Sequence, residues 1–128
     1  MKRVTGIGGI FFTARDPAAL RAWYQRHLGI DVQAWGGAAF TWVDAQGAPS
    51  AGTTIWSIGD AAGDAYAPSA APFMVNYRVA DLHALVAALK SEGCQVLEKI
   101  DESEYGKFAW VMDPEGNKVE LWEPPPGQ

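Results

Sequence analysis

Cysteine is almost absent from this chain. Cys94 stands alone, so no internal disulfide can form, and a reducing cytoplasm is the expected compartment. Histidine is nearly as scarce, with only His27 and His83 available to ligate a metal or relay a proton. Cations are in the minority: 10 Lys and Arg face 15 Asp and Glu, and the net charge of -5 would repel a phosphate backbone, which argues against nucleic acid as a partner. No apolar run approaches the ~20 residues that cross a bilayer, and no charged-then-apolar leader precedes the first strand. Neither a membrane span nor a secretory signal is expected. A Ser-His-Asp arrangement, a CxxC pair and a phosphate-binding glycine loop are also missing, because Gly6, Gly8 and Gly9 precede a strand rather than follow one.

What is present points to one globular domain. Hydrophobic residues make up 48% and charged residues 20%, and 128 residues suffice to bury about two thirds of the unfolded surface. The second half repeats the first. The run Ile10 to Leu20 carries a hydrophobic strand into Asp16 and a helix, and Val75 to Leu85 does the same through Asp81. Phe40 to Gly47 echoes Ala109 to Gly116, and Thr54-Ile55-Trp56 echoes Glu120-Leu121-Trp122. Landmarks in a fixed order indicate a duplicated supersecondary unit, and two such units can enclose a pocket.

Local chemistry sets the boundaries. Asp16 is an N-cap followed by Pro17 at the first helical position, and Leu20, Trp23, Tyr24, His27 and Leu28 follow at helical spacing until Gly29. This predicts a helix over Pro17 to Leu28. In the second unit a strand from Phe73 to Val79, the Asp81 cap and a helix with Leu82, Leu85, Val86 and Leu89 on one stripe end at Gly93. Cys94, just beyond, is expected to pack as a small hydrophobe. Three strands follow: Gln95 to Lys99, Phe108 to Met112 and Lys118 to Trp122, the last two joined by the turn at Asp113 to Asn117. The unit is β-α-β-β-β, and the first half fits the same template with strands at Val32 to Trp35, Ala39 to Val43 and Thr53 to Ile58, the first two joined by a hairpin turn at Gly36-Gly37. Residues 59–72 are rich in small and turn-forming residues and read as a surface linker whose one aromatic, Tyr66, is either a pocket lid or a surface anchor. The tail Pro124-Pro125-Pro126 is expected to fray.

With two β-α-β-β-β modules and the closing phrase Asp113-Pro114-Glu115-Gly116-Asn117-Lys118-Val119-Glu120-Leu121, the sequence resembles the vicinal oxygen chelate superfamily, which includes glyoxalase I, bleomycin- and fosfomycin-resistance proteins and extradiol dioxygenases. The resemblance implies an α+β fold of two tandem modules, about 5–58 and about 73–123, forming curled mixed sheets. It also implies a homodimer and metal ligands on the first and last strands of each module. Carried over by position, those places hold Gly9, Met74, Thr54 and Glu120. One carboxylate cannot hold a catalytic metal, which takes three protein ligands, so no metal cofactor is expected. His27 and His83 lie on the helices and do not complete a set.

Strand alternation then sets a cup inventory of Phe11 and Thr13, Thr54 and Trp56, Met74, Asn76 and Arg78, with Glu120, Trp122 and Trp110. Such an aromatic wall with a few polar groups suits a small organic ligand. The Trp side chains have two readings, interior packing or a stacking cage for a planar or cationic compound. Arg78 and Glu120 have three: a structural ion pair, an Arg78 grip on a carboxylate or phosphate with Glu120 orienting it, or Glu120 as a general base. The leading expectation is a small-molecule-binding protein of the glyoxalase/bleomycin-resistance type with a degenerate metal site. The alternative is a glyoxalase-like lyase or isomerase using Glu120 as base or as ligand to a divalent metal. The loop of Glu102, Glu104 and Tyr105 has two readings, a border of the cup mouth or an ordinary solvated acidic loop.

Overall fold

A computed structural model describes residues 3–128. The elements follow in the order β1 (Val4–Ala14), α1 (Pro17–Leu28), β2 (Gly37–Val43), β3 (Pro49–Asp60), β4 (Phe73–Val79), α2 (Leu82–Ser91), β5 (Gln95–Ser103), β6 (Gly106–Met112) and β7 (Lys118–Glu123). All seven strands form one curled mixed sheet in the order β2-β3-β1-β4-β7-β6-β5. β1 and β4 pair antiparallel at its centre, each flanked by a parallel neighbour, β3 and β7 respectively. The two modules therefore join within a single chain, edge strand to edge strand.

The helix boundaries follow from the capping chemistry. The Asp16 carboxylate accepts from the Ala19 N–H at 3.1 Å, and Gly29 closes α1 in the left-handed region at φ 68°. Asp81 caps α2 in the same way through Ala84 N–H at 3.1 Å. Both helices lie on one face of the sheet. There α2 packs Leu82, Leu85 and Val86 onto Val79, Ala109 and Leu121, which make up the aliphatic core of the protein. α1 instead meets the sheet through edge-to-face contacts of Tyr24 with Phe12 and Trp56, at 6.0 and 5.2 Å between ring centroids.

Three expectations are corrected. Val32 to Trp35 is not a strand: Val32 N–H and Gly36 N–H donate to Ile30 and Gln33 carbonyls, so this short run satisfies its backbone locally and β2 begins only at Gly37. Module one is thus β-α-β-β, and Gly36-Gly37 is a turn into β2 rather than a hairpin between two strands. Cys94 is exposed, because the left-handed Gly93 turns the chain outward before β5. The tail after Glu123 forms a turn closed by Gln128 N–H to Pro125 carbonyl at 3.1 Å.

Candidate functional site

On the face opposite the helices, β1, β3, β4, β6 and β7 surround a cavity of about 290 Å³ lined by Gly8, Phe11, Thr53, Ile55, Asn76, Tyr105, Phe108, Glu120, Trp122 and Gln128. Sheet register explains the membership. Ile55 lies opposite Gly9, Gly9 opposite Asn76, Asn76 opposite Glu120, and Glu120 opposite Trp110, so one row crosses five strands. Residues in one row point to one face, which gathers positions as far apart in the chain as Gly9 and Glu120.

Glu120 is the chemical centre of that row. It is only 8% exposed, and both carboxylate oxygens are engaged: Asn76 Nδ2 donates to Oε1 at 2.6 Å, and Trp110 Nε1 donates to Oε2 at 2.9 Å. Burial pushes its pKa above the ordinary glutamate value; the bonds from Asn76 and Trp110 and the charge of Lys118 oppose the shift without cancelling it. Lys118 itself lies over the Trp110 ring, with its ammonium 5.5 Å from the centroid. The Asn76 amide uses one end on Glu120 and leaves Oδ1 buried without a partner among the described residues. Gly8 makes that arrangement possible, since a Cβ there would sit 2.2 Å from Asn76 Oδ1 and 2.8 Å from the Trp122 ring.

Aromatic residues form the walls. Phe108 and Trp122, cross-strand neighbours, stack with ring planes 7° apart, and Trp122 Nε1 donates to the Tyr105 carbonyl at 2.9 Å, tying the β5–β6 loop to the mouth. Above Trp122 lies Arg78, whose guanidinium is 5.2 Å from the Trp122 ring and 4.8 Å from the Trp42 ring. It donates to the Thr53 carbonyl at 3.1 Å and to the main-chain oxygen of Gln128.

These positions divide the expected site residues. Phe11, Asn76, Trp122 and Glu120 line the cavity, while Met74, Arg78 and Trp110 share the same face beside it. Thr13 lies under the linker, its N–H bonded to the Pro72 carbonyl at 2.9 Å. Thr54 and Trp56 are elsewhere: Thr54 donates to the Ile7 carbonyl and Trp56 packs against Tyr24 of α1. Parallel pairing of β1 with β3 places the odd residues Thr53, Ile55 and Ser57 on the cavity face, so matching Thr54 to Glu120 by sequence echo is three residues out of register, an odd offset that turns the side chain to the other face. Asn76 pairs with Glu120, and its counterpart Phe11 pairs with Ser57, making Ser57 the register equivalent of Glu120. Arg78 and Glu120 do not pair either, because Arg78 is in register with Trp122, two places beyond. Thr53, Ile55, Phe108 and Gln128 were missed; period-two alternation from Glu120 through its partner Trp110 could have found Phe108. Tyr66, the linker's one buried residue, is close enough to Glu120 that its phenol pKa is raised, chiefly by burial and then by that negative charge.

A profile of the Glyoxalase/Bleomycin resistance protein/Dioxygenase superfamily matches residues 6–121. The chain belongs to this superfamily. Solved structures agree on the fold of this superfamily member. Methylmalonyl-CoA epimerase from Mycobacterium tuberculosis superposes with a TM-score of 0.62 at 19% identity, covering 98% of this chain and 92% of that one. A methylmalonyl-CoA epimerase bound to methylmalonyl-CoA and NH4+ reaches 0.68 at 18% identity, covering 98% of both chains. A Streptomyces coelicolor methylmalonyl-CoA epimerase variant in complex with 2-nitronate-propionyl-CoA also gives 0.68, at 17% identity and 98% coverage of each chain. A search of curated proteins finds no match.

Gly9, Met74 and either Thr54 or Ser57 stand with Glu120 at the ligand positions, and among the described residues no three His, Cys, Asp or Glu side chains converge. Glu120 accepts one N–H on each oxygen, from Asn76 and from Trp110, which takes two of its roughly four lone-pair sites.

Proposed function

We propose that this superfamily member is a small-molecule-binding protein that takes up a partly aromatic organic compound in the cavity around Glu120 without a metal. The observation that supports this is the pairing of a buried, doubly hydrogen-bonded carboxyl with an aromatic-walled cavity of about 290 Å³. The orphaned Asn76 Oδ1 adds an acceptor at the same wall for a ligand N–H or O–H that reaches it. In this reading the chain works as a homodimer in the cytoplasm, which gives two equivalent cavities per assembly.

A thermal-shift screen of planar antibiotics and aromatic acids, run with and without EDTA, tests the reading. Ligand at 100 times its dissociation constant adds about 2.7 kcal/mol by linkage, a readable rise in melting temperature that chelator leaves unchanged. Absence of any stabilising compound, or stabilisation that needs a divalent cation, would overturn it. Sedimentation of the free protein tests the dimer.

A second reading is favoured by the raised pKa of Glu120, which faces the cavity as a proton acceptor of increased basicity. In it the protein moves a proton next to a carbonyl, as a lyase or isomerase would. Solvent deuterium entering the carbon beside the carbonyl of a 2-oxoaldehyde hemithioacetal, and lost in Glu120→Gln, would establish it.

A further inference from the structure

We infer that the ligand is an organic acid whose carboxylate docks on Arg78, with its apolar body in the Glu120 cavity; this rests on the binding reading above. Among the described residues no Asp or Glu side chain reaches Arg78, although such residues outnumber Lys and Arg 15 to 10. A guanidinium has five N–H donors, and protein acceptors are the Thr53 carbonyl and the Gln128 main-chain oxygen. Trp42 and Trp122 hold the group from two sides, which fixes its plane and leaves its edge for a planar, two-oxygen partner.

The position of Arg78 relative to the cavity supplies the rest. Thr53 and Trp122 both line the Glu120 cavity and both touch Arg78. Gln128 stands between: it lines that cavity and also a second, more open one of about 410 Å³ to which Arg78 and Glu123 belong. A ligand too long for the first cavity therefore meets Arg78 by taking the place of the Gln128 main-chain oxygen that the guanidinium now holds. A carboxylate is favoured over a phosphate because one guanidinium matches one negative charge.

Calorimetric titration of the full chain with a series of arylalkanoates of increasing chain length, their neutral primary amides and the matching arylalkylphosphonates decides the matter. At least one acid is expected to bind about tenfold or more tightly than its amide, as a charge-assisted bond requires, and more tightly than its phosphonate. In Arg78→Gln the preference for acid over amide should vanish. Arg78→Lys, which keeps the charge but loses the planar fork, should retain only part of that preference. The wild-type comparison needs no variant and so survives any failure of these to fold. Equal binding of acid and amide would overturn the Arg78 assignment and leave the cavity reading intact, as would a preference that persists in Arg78→Gln. Tighter phosphonate binding would overturn the carboxylate, and no binding by any member of the series would count against both readings.

Discussion

In module two, α2 buries Leu82, Leu85 and Val86 against an aliphatic patch on β4, β6 and β7, whereas α1 in module one buries none of its residues completely. Module one docks its helix with rings and with one polar tether, Arg21, whose guanidinium donates to the Ile58 carbonyl. The exposed large hydrophobics divide the same way. Val4, Ile7, Ile10, Trp23, Leu28, Trp35, Phe40 and Val43 belong to module one, and only Phe73 and Tyr105 to module two. Two copies of one supersecondary unit have thus taken different duties. Module two supplies most of the packed core together with Glu120, Asn76 and Trp122, while module one supplies a wall of Gly8, Phe11, Thr53 and Ile55.

Truncating the same residue type in each module is the strongest way to break that contrast. Leu82→Ala, at a fully buried position, should cost about 3–5 kcal/mol in urea unfolding, while Leu28→Ala, at 61% exposure, should cost less than about 0.5 kcal/mol. Equal losses would show that α1 is as deeply packed in solution as α2. The contribution of module one to the cavity is tested by Gly8→Ala, which should lower stability by about 1–3 kcal/mol and displace Asn76 from Glu120, with ligand binding lost. Gly59→Ala is the control, since the nearest atom to its Cβ is 3.8 Å away, and its unfolding midpoint should barely move.

A smaller effect tests the polar tether. Arg21→Ala should cost about 1–2 kcal/mol and loosen α1 selectively, seen as faster amide exchange over Pro17–Leu28 with α2 unchanged. The smallest concerns the titration of Glu120. Because its carboxyl is raised above the ordinary value, the folded chain binds this proton more tightly than the unfolded chain does. Its favourable contribution is therefore complete below the unfolded pKa and is lost as pH rises through the folded one. Glu120→Gln removes that dependence, so variant stability relative to the parent should improve steadily as pH climbs through this window. A difference that stays flat with pH would place an ordinary carboxyl there.

Helix ends were readable from single residues, because Asp16, Pro17 and Gly29 act on backbone groups within one turn of themselves. The two-module order followed from the repeat of such local signals, and the α+β class from the family resemblance that this order carries. Val32 to Trp35 was misread because four residues of strand-like composition can satisfy their backbone within a local turn as well as in a sheet. The face of Thr54 and Trp56 was misread because it depends on how β3 slides against β1, and a one-residue slip reverses every side chain.

By itself, the order of residues determined where helices start and stop and that two similar units would form. The tertiary structure alone decided the partners: Asn76 and Trp110 for Glu120, and Trp42 and Trp122 for Arg78. The physical reason is range. Caps and turns are settled by neighbours a few bonds away, whereas a row across five strands is settled by sheet register, which the whole buried interior selects at once.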